Sequence, residues 1–201
     1  HAIRDAGIDT LLTDQPEHAS RLAADFVAAG ISPQTGLHLY QRRSTTPPRP
    51  APPGTIKITY TSGSTAAPKG VCLSAPSLEA VATSLAGATA DLGLTRHLCL
   101  LPLATLLENV GGIHAALRSG ASCIIPSLTT TGMSYGGLEP QKLLATISAH
   151  APSSLILVPE LLRVLVMAAQ KGWQPPASLR FIAVGGASVA PELLASAARL
   201  G

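Results

Sequence analysis

One stretch of the chain alternates strictly between apolar and polar positions. Ile56, Ile58 and Tyr60 interleave with Thr55, Lys57 and Thr59, the two-residue period of a strand. Four further apolar runs are short and nearly continuous: Leu98 to Leu101, Cys123 to Ile125, Leu155 to Val158 and Phe181 to Val184. Runs of that kind fit parallel strands covered on both faces. Helical spacing fills the intervals. Leu78, Val81 and Leu85 share one face, and Leu106, Val110, Ile113 and Leu117 another. Leu143, Leu144 and Ile147 form a third stripe, and Leu161, Leu162, Leu165 and Val166 a fourth. Ser74 followed by Pro76 predicts where the first helix starts, and Pro191-Glu192 opens a last one. Strands alternating with helices predict an α/β layered fold, a mostly parallel sheet with flanking helices and right-handed crossovers. No internal repeat is visible.

The first quarter is less regular. Ala19, Leu22, Phe26 and Ala29 recur at helical spacing, and Gly30 would end that helix. Ser44 to Gly54 reads STTPPRPAPPG. Prolines at this density exclude helix and sheet interior, and predict an extended connector, an SH3-type ligand being the functional alternative. The predicted organisation is therefore a partial segment with a Pro-rich connector over 1–54 and an α/β unit over 55–201.

Composition narrows the class. Charged residues make up 12% of the 201, against about 25% in an average soluble domain. The chain is either a self-contained Ala- and Leu-rich domain or a piece of a larger protein. It carries no initial Met, and the expectation is that the protein begins upstream of His1. A net charge of +3 with scattered basic residues and few aromatics gives no case for nucleic acid. Cys72, Cys99 and Cys123 show no CxxC and no His pair at ligand spacing, so neither a disulfide framework nor a zinc site is expected. Together with the lack of a signal-peptide pattern or a long apolar span, this predicts a cytoplasmic protein. His38, His97, His114 and His150 show no partners in the sequence. Glu108 lies on an otherwise apolar helix face, turned either toward a site or toward solvent.

The chemistry lies after the strand that ends at Tyr60. Thr61-Ser62-Gly63-Ser64-Thr65-Ala66-Ala67-Pro68-Lys69-Gly70 holds hydroxyls, two glycines and one lysine, with no acid. A phosphate needs inward N–H groups, hydroxyl donors and a cation, free of competing negative charge. Gly63 and Gly70 can adopt the angles of such a turn. An ordinary polar surface loop is the alternative on composition alone. The other phosphate loop, G-x-x-x-x-G-K-[ST], fails: Pro68 stands where it needs Gly and Gly70 where it needs Ser or Thr.

Tyr60-Thr-Ser-Gly-Ser-Thr-Ala-Ala-Pro-Lys-Gly-Val71 resembles the signature of the adenylate-forming (AMP-binding) superfamily, which includes acyl-CoA synthetases, luciferases and peptide-synthetase adenylation domains. Ala66 stands where that family usually has Gly. Leu100-Leu-Pro-Leu-Ala-Thr-Leu-Leu-Glu-Asn-Val-Gly111 is similar to the "LPLAH…E" stretch of long-chain acyl-CoA synthetases, with Thr105 in place of the His. Val158-Pro159 and Val184-Gly-Gly-Ala-Ser188 resemble the family's "VP" and glycine-rich segments. Taken alone, Gly185-Gly186 is a common strand-to-helix turn.

The resemblance implies an enzyme that uses ATP and Mg2+ to convert a carboxylic acid, a fatty acid by the likeness of its middle stretch, to an acyl-adenylate. Coenzyme A is the implied acceptor. It implies that Thr61, Ser62, Ser64, Thr65 and Lys69 hold the β- and γ-phosphates, with Gly63 admitting the backbone. Gly185, Gly186 and Ala187 would border the adenine and the acyl chain. The family's metal-binding acid, its ribose-binding Asp and the C-terminal domain with its catalytic lysine find no match here. The expectation is a segment of the N-terminal domain of a longer enzyme, inactive without those parts. The alternative is a non-catalytic or degenerate nucleotide-binding module.

Overall fold

The computed structural model describes residues 6–13, 25–43, 50–61, 69–134 and 137–198. The chain divides into two compact units, His1–Ser74 and Ala75–Gly201.

In the first unit, β1 (Thr10–Thr13), β2 (Phe26–Ile31) and β3 (His38–Arg42) form an antiparallel sheet in the order β1-β3-β2. The helix expected over Ala19, Leu22, Phe26 and Ala29 is corrected in part. Ala19 and Leu22 lie outside the described residues, while Phe26 to Ile31 is a strand. Val27 and Ile31 are β-branched, and pairing with β3 on one side outweighs a chance helical spacing. Of the Pro-rich stretch, 44–49 lies outside the described residues; the amide of Thr55 closes a turn onto the carbonyl of Pro52 at 3.1 Å.

The alternating segment is β4 (Thr55–Thr61), as its period predicts. It pairs antiparallel with β5 (Lys69–Ser74), in the register Tyr60 to Gly70 and Thr61 to Lys69. Lys69 and Gly70 are thus strand residues. The left-handed freedom expected of Gly70 is not used; a Cβ there would instead meet the Ile58 and Tyr60 side chains across the hairpin, at 3.0 and 3.3 Å.

The second unit carries the parallel sheet. Its strands are β6 (Arg96–Leu98), β7 (Ser122–Ile124), β10 (Ser154–Leu157) and β11 (Phe181–Val184), in the order β11-β10-β6-β7, all parallel. The hairpin pair β8 (Met133–Ser134) and β9 (Gly137–Leu138) lies between β7 and β10 in sequence. Every residue of β10 is buried, as a central parallel strand requires. Helix α1 (Ala75–Ala88) begins where Ser74 and Pro76 predict. Of its expected stripe, Leu78 is buried, together with Ala82, whereas Val81 and Leu85 are exposed.

The core joins sheet to helices. Leu143 and Ile147 of α4 (Pro140–His150) and Leu162 and Leu165 of α5 (Pro159–Gln170) pack with Leu98, Leu155 and Leu157. Both helices take a proline in their first turn, where its missing N–H costs nothing. Each fully buried Leu contributes about 1.5–3 kcal/mol relative to exposure. Short helices α2 (Ala115–Arg118) and α3 (Leu128–Thr131) precede these, and α6 (Pro191–Ala197) follows β11.

The stripe from Leu106 to Leu117 is helical, but its first part is a π-helix, Leu107–His114, which runs directly into α2. The wider turn carries Glu108 and Val110 inward, while Leu117 is exposed. Among the described residues no helix is long and apolar enough to cross a membrane.

Candidate functional site

The hydroxyl-rich segment joins the two strands of the β4–β5 hairpin. Residues 62–68, which include the expected Ser62, Gly63, Ser64 and Thr65, lie outside the described residues. Thr61 ends β4 and Lys69 opens β5, directly opposite it, with Lys69 exposed. The hairpin therefore delivers the segment with its lysine at one foot.

Gly185, Gly186 and Ala187 belong to the second unit and follow β11 at its C-terminal end, the edge at which open α/β sheets place ligands. The Gly185 amide donates to the Leu157 carbonyl at 3.0 Å, so the turn starts in register with β10. Gly186 has φ of +86°, a left-handed conformation that glycine adopts without strain. A Cβ on Gly186 would touch Val158 Cγ1 at 3.4 Å, which sets the Val158-Pro159 segment beside this turn. A Cβ on Gly185 would meet Leu107 Cδ2 at 3.2 Å.

The same unit holds a group of side chains whose pairing the sequence did not reveal. Glu108 and His97 are 0% and 2% exposed. Glu108 Oε1 lies 2.7 Å from His97 Nε2, and Oε2 accepts from the amides of Leu100 and Leu101 at 3.1 and 2.9 Å. On the other side of the ring, His97 Nδ1 lies 3.1 Å from Ser154 Oγ of β10. These bonds draw the chain out of the sheet short of the expected run to Leu101: β6 ends at Leu98, the Cys99 amide still donates to the Ile124 carbonyl at 2.9 Å, and the Leu100 and Leu101 amides turn to the carboxylate. They also correct the expectation that His97 lacks a partner, and decide the orientation of Glu108, which points inward.

Cys99 stands beside this pair. Burial, then the Glu108 charge, holds its thiol well above the ordinary range, and the same two causes raise Cys123. Ligand atoms of His97, Cys99 and Glu108 lie within 4.8 Å of one another. A metal would need the thiolate, which burial disfavours, and both carboxylate oxygens already accept hydrogen bonds. The group is a hydrogen-bonded core element.

Against it lies an apolar cavity of about 230 Å³ within the second unit. Leu85, Leu107, Gly111, Ile156, Phe181 and Ala183 are among the residues of its wall, and His97 and Ser154 add polar groups.

The whole arrangement is an α/β unit with a ligand edge, an apolar cavity and a separate hydroxyl-rich hairpin. The family model "AMP-binding enzyme" matches residues 1–201, and the chain belongs to that family. No curated protein matches it. Solved structures do. The apo structure of MbtA from Mycobacterium smegmatis is 22% identical, with a TM-score of 0.59, covering 79% of this chain and 28% of that one. An adenylation domain of a keto acid-selecting NRPS module, bound to keto acyl adenylate, is 17% identical, with a TM-score of 0.60 over 80% of this chain and 29% of that one. O-succinylbenzoate coenzyme A synthetase (MenE) from Bacillus subtilis, in complex with ATP and magnesium ion, is 22% identical, with a TM-score of 0.52 over 72% and 28%. At such identities the likeness shows the fold, and the chain spans less than a third of the length of each.

Proposed function

We propose that the protein containing this chain activates a carboxylic acid with ATP. A carboxylate oxygen attacks the α-phosphorus, the bond to the β-phosphate oxygen breaks, and acyl-adenylate and pyrophosphate result. The observation that carries this reading is the acid-free, hydroxyl-rich segment mounted on the β4–β5 hairpin of a chain that belongs to the AMP-binding family. In it, Thr61, Ser62, Ser64 and Thr65 donate hydrogen bonds to the β- and γ-phosphates. Gly63 lets the backbone approach and Lys69 adds positive charge. These groups stabilise the charge that builds on the departing pyrophosphate, and need no covalent step of their own.

Magnesium, arriving with ATP, supplies further charge neutralisation. Residues 61–70 offer donors and a cation but no carboxylate, so they fit the triphosphate rather than the metal. Gly185, Gly186 and Ala187 border the adenine and the acyl chain, the left-handed Gly186 keeping that edge free of a side chain.

The cavity favours an apolar acid, a fatty acid being the simplest. Its volume of about 230 Å³ lies below the usual range of ligand sites, which starts at about 300 Å³. Coenzyme A is the proposed acceptor in a second step, on the likeness of Leu100 to Gly111 to acyl-CoA synthetases. Product analysis tests the first step: the full-length protein with ATP and an apolar acid should release AMP and pyrophosphate. ADP release would contradict it, and no nucleotide turnover with any acid would favour a non-catalytic module, for which Ala66 is the suggestive departure.

A further inference from the structure

Glu108 is a carboxylate in the interior of an apolar unit. Such a group costs several kcal/mol to desolvate, and a pair of this kind gives little net stability over well-packed apolar residues. What it supplies is directional. One carboxylate reaches three elements: the π-helix that carries it, the Leu100–Leu101 turn through two amides, and β6 through His97. His97 extends the chain to β10 through Ser154.

The π-helix is shaped around this pair. A Cβ on Gly112 would collide with Glu108 Oε1 and His97 Nε2, so only glycine lets the helix lie against them. A Cβ on the preceding Gly111 would approach Ile156 Cδ1 at 3.0 Å and Leu85 Cδ1 at 3.7 Å, two groups of the cavity wall. Gly112 thus sits against the Glu108–His97 pair and Gly111 against Ile156 and Leu85, and both line the cavity. Leu107, adjacent to Glu108, lines the same cavity and packs over Gly185. The position of Glu108 therefore sets the positions of Leu107 and Gly111.

We propose that Glu108 and His97 are positioning residues for the acid-binding cavity: they tie the Leu100–Leu101 turn and the π-helix to the sheet, and so place Leu107 and Gly111 in the cavity wall. The cavity's role as an acid site rests on the function proposed above; the tie itself does not. Neither residue touches the reacting atoms.

The test uses the full-length protein, with ATP–pyrophosphate exchange driven by dodecanoic acid and hydrogen exchange of the amides. In E108Q the amide oxygen keeps the Leu100 and Leu101 N–H groups. Its NH2 donates to His97 Nε2 while the ring proton moves to Nδ1 and is donated to Ser154 Oγ. This variant should hold the KM for the acid within threefold of wild type. E108L removes every bond. It should raise the KM for the acid at least tenfold with the KM for ATP within twofold. The Leu100 and Leu101 amides should exchange at least tenfold faster, with β10 and β11 unchanged. If E108L does not fold, H97N, which cuts only the link to β6 and β10, is read the same way, with a smaller rise in KM.

A folded E108L with protected amides and an unchanged acid KM overturns the proposal. So does an equal rise in both KM values, which means a general loss of structure. If wild type exchanges no pyrophosphate with any acid, the adenylation reading falls, and hydrogen exchange alone still decides whether the pair ties the turn to the helix.

Discussion

Thr61 and Lys69 face each other as the last described pair of the β4–β5 hairpin, so the segment that carries the hydroxyls begins and ends at one point. The geometry fixes where Lys69 emerges and leaves its side chain exposed. Lys69→Ala in the full-length protein is expected to slow ATP–pyrophosphate exchange by about 10²-fold, the scale for losing one group that stabilises developing charge. Stability should change by less than about 0.5 kcal/mol, as for most exposed positions. Exchange rates beside a urea unfolding curve check both.

Gly186 makes a second expectation. Its φ of +86° is costly for any side chain. Gly186→Ala should destabilise the second unit by about 1–2 kcal/mol, even though Val158 leaves ordinary van der Waals room at 3.4 Å. Denaturant unfolding with an unchanged m-value would confirm a local strain rather than a changed unfolded state.

Gly111 tests the cavity. A side chain there enters the wall between Leu85 and Ile156. Gly111→Val is expected to lower exchange with long apolar acids at least tenfold more than with short ones. An equal loss for all chain lengths would separate the cavity from acid selection.

The thiols give a pH dependence. Cys99 is neutral in the folded state because burial, and then Glu108, push its ionisation upward. Below the unfolded thiol pKa of about 8.5 the proton is bound in both states, and no stability is lost. Above it the unfolded chain ionises first, so stability should fall as pH rises beyond about 8.5, by up to about 1.4 kcal/mol per unit for this thiol. In the folded protein Cys72, which is exposed, should react with a thiol reagent well before Cys99.

The apolar periods were a good guide where one face decides burial. Leu161, Leu162, Leu165 and Val166 lie buried as their spacing predicts, and β11 matches its apolar run residue for residue. The periods misled where partners from far along the chain decide. Phe26 to Ile31 pairs with β3 against its own helical spacing. Leu100 and Leu101 leave the sheet because Glu108 claims their amides. The π-helix has the same apolar residues as an α-helix, and only Gly111-Gly112 beside a lone acid hinted at it. For the hydroxyl-rich segment, residue chemistry left a polar surface loop as the alternative and the family resemblance made the phosphate reading specific; its residues 62–68 lie outside the described residues. The Glu108–His97 pair was not, since it joins a strand to a helix and neither residue shows its partner locally.

The most direct measurement of the central claim is ATP–pyrophosphate exchange by the full-length protein across a series of straight-chain acids, with the Ser62→Ala/Thr65→Ala double variant alongside. Acid-dependent exchange in wild type, reduced by 10²-fold or more in the variant, is the expected result. Exchange that is indifferent to the loss of both hydroxyls would contradict the phosphate-binding role of this segment, and no exchange with any acid would contradict adenylation itself.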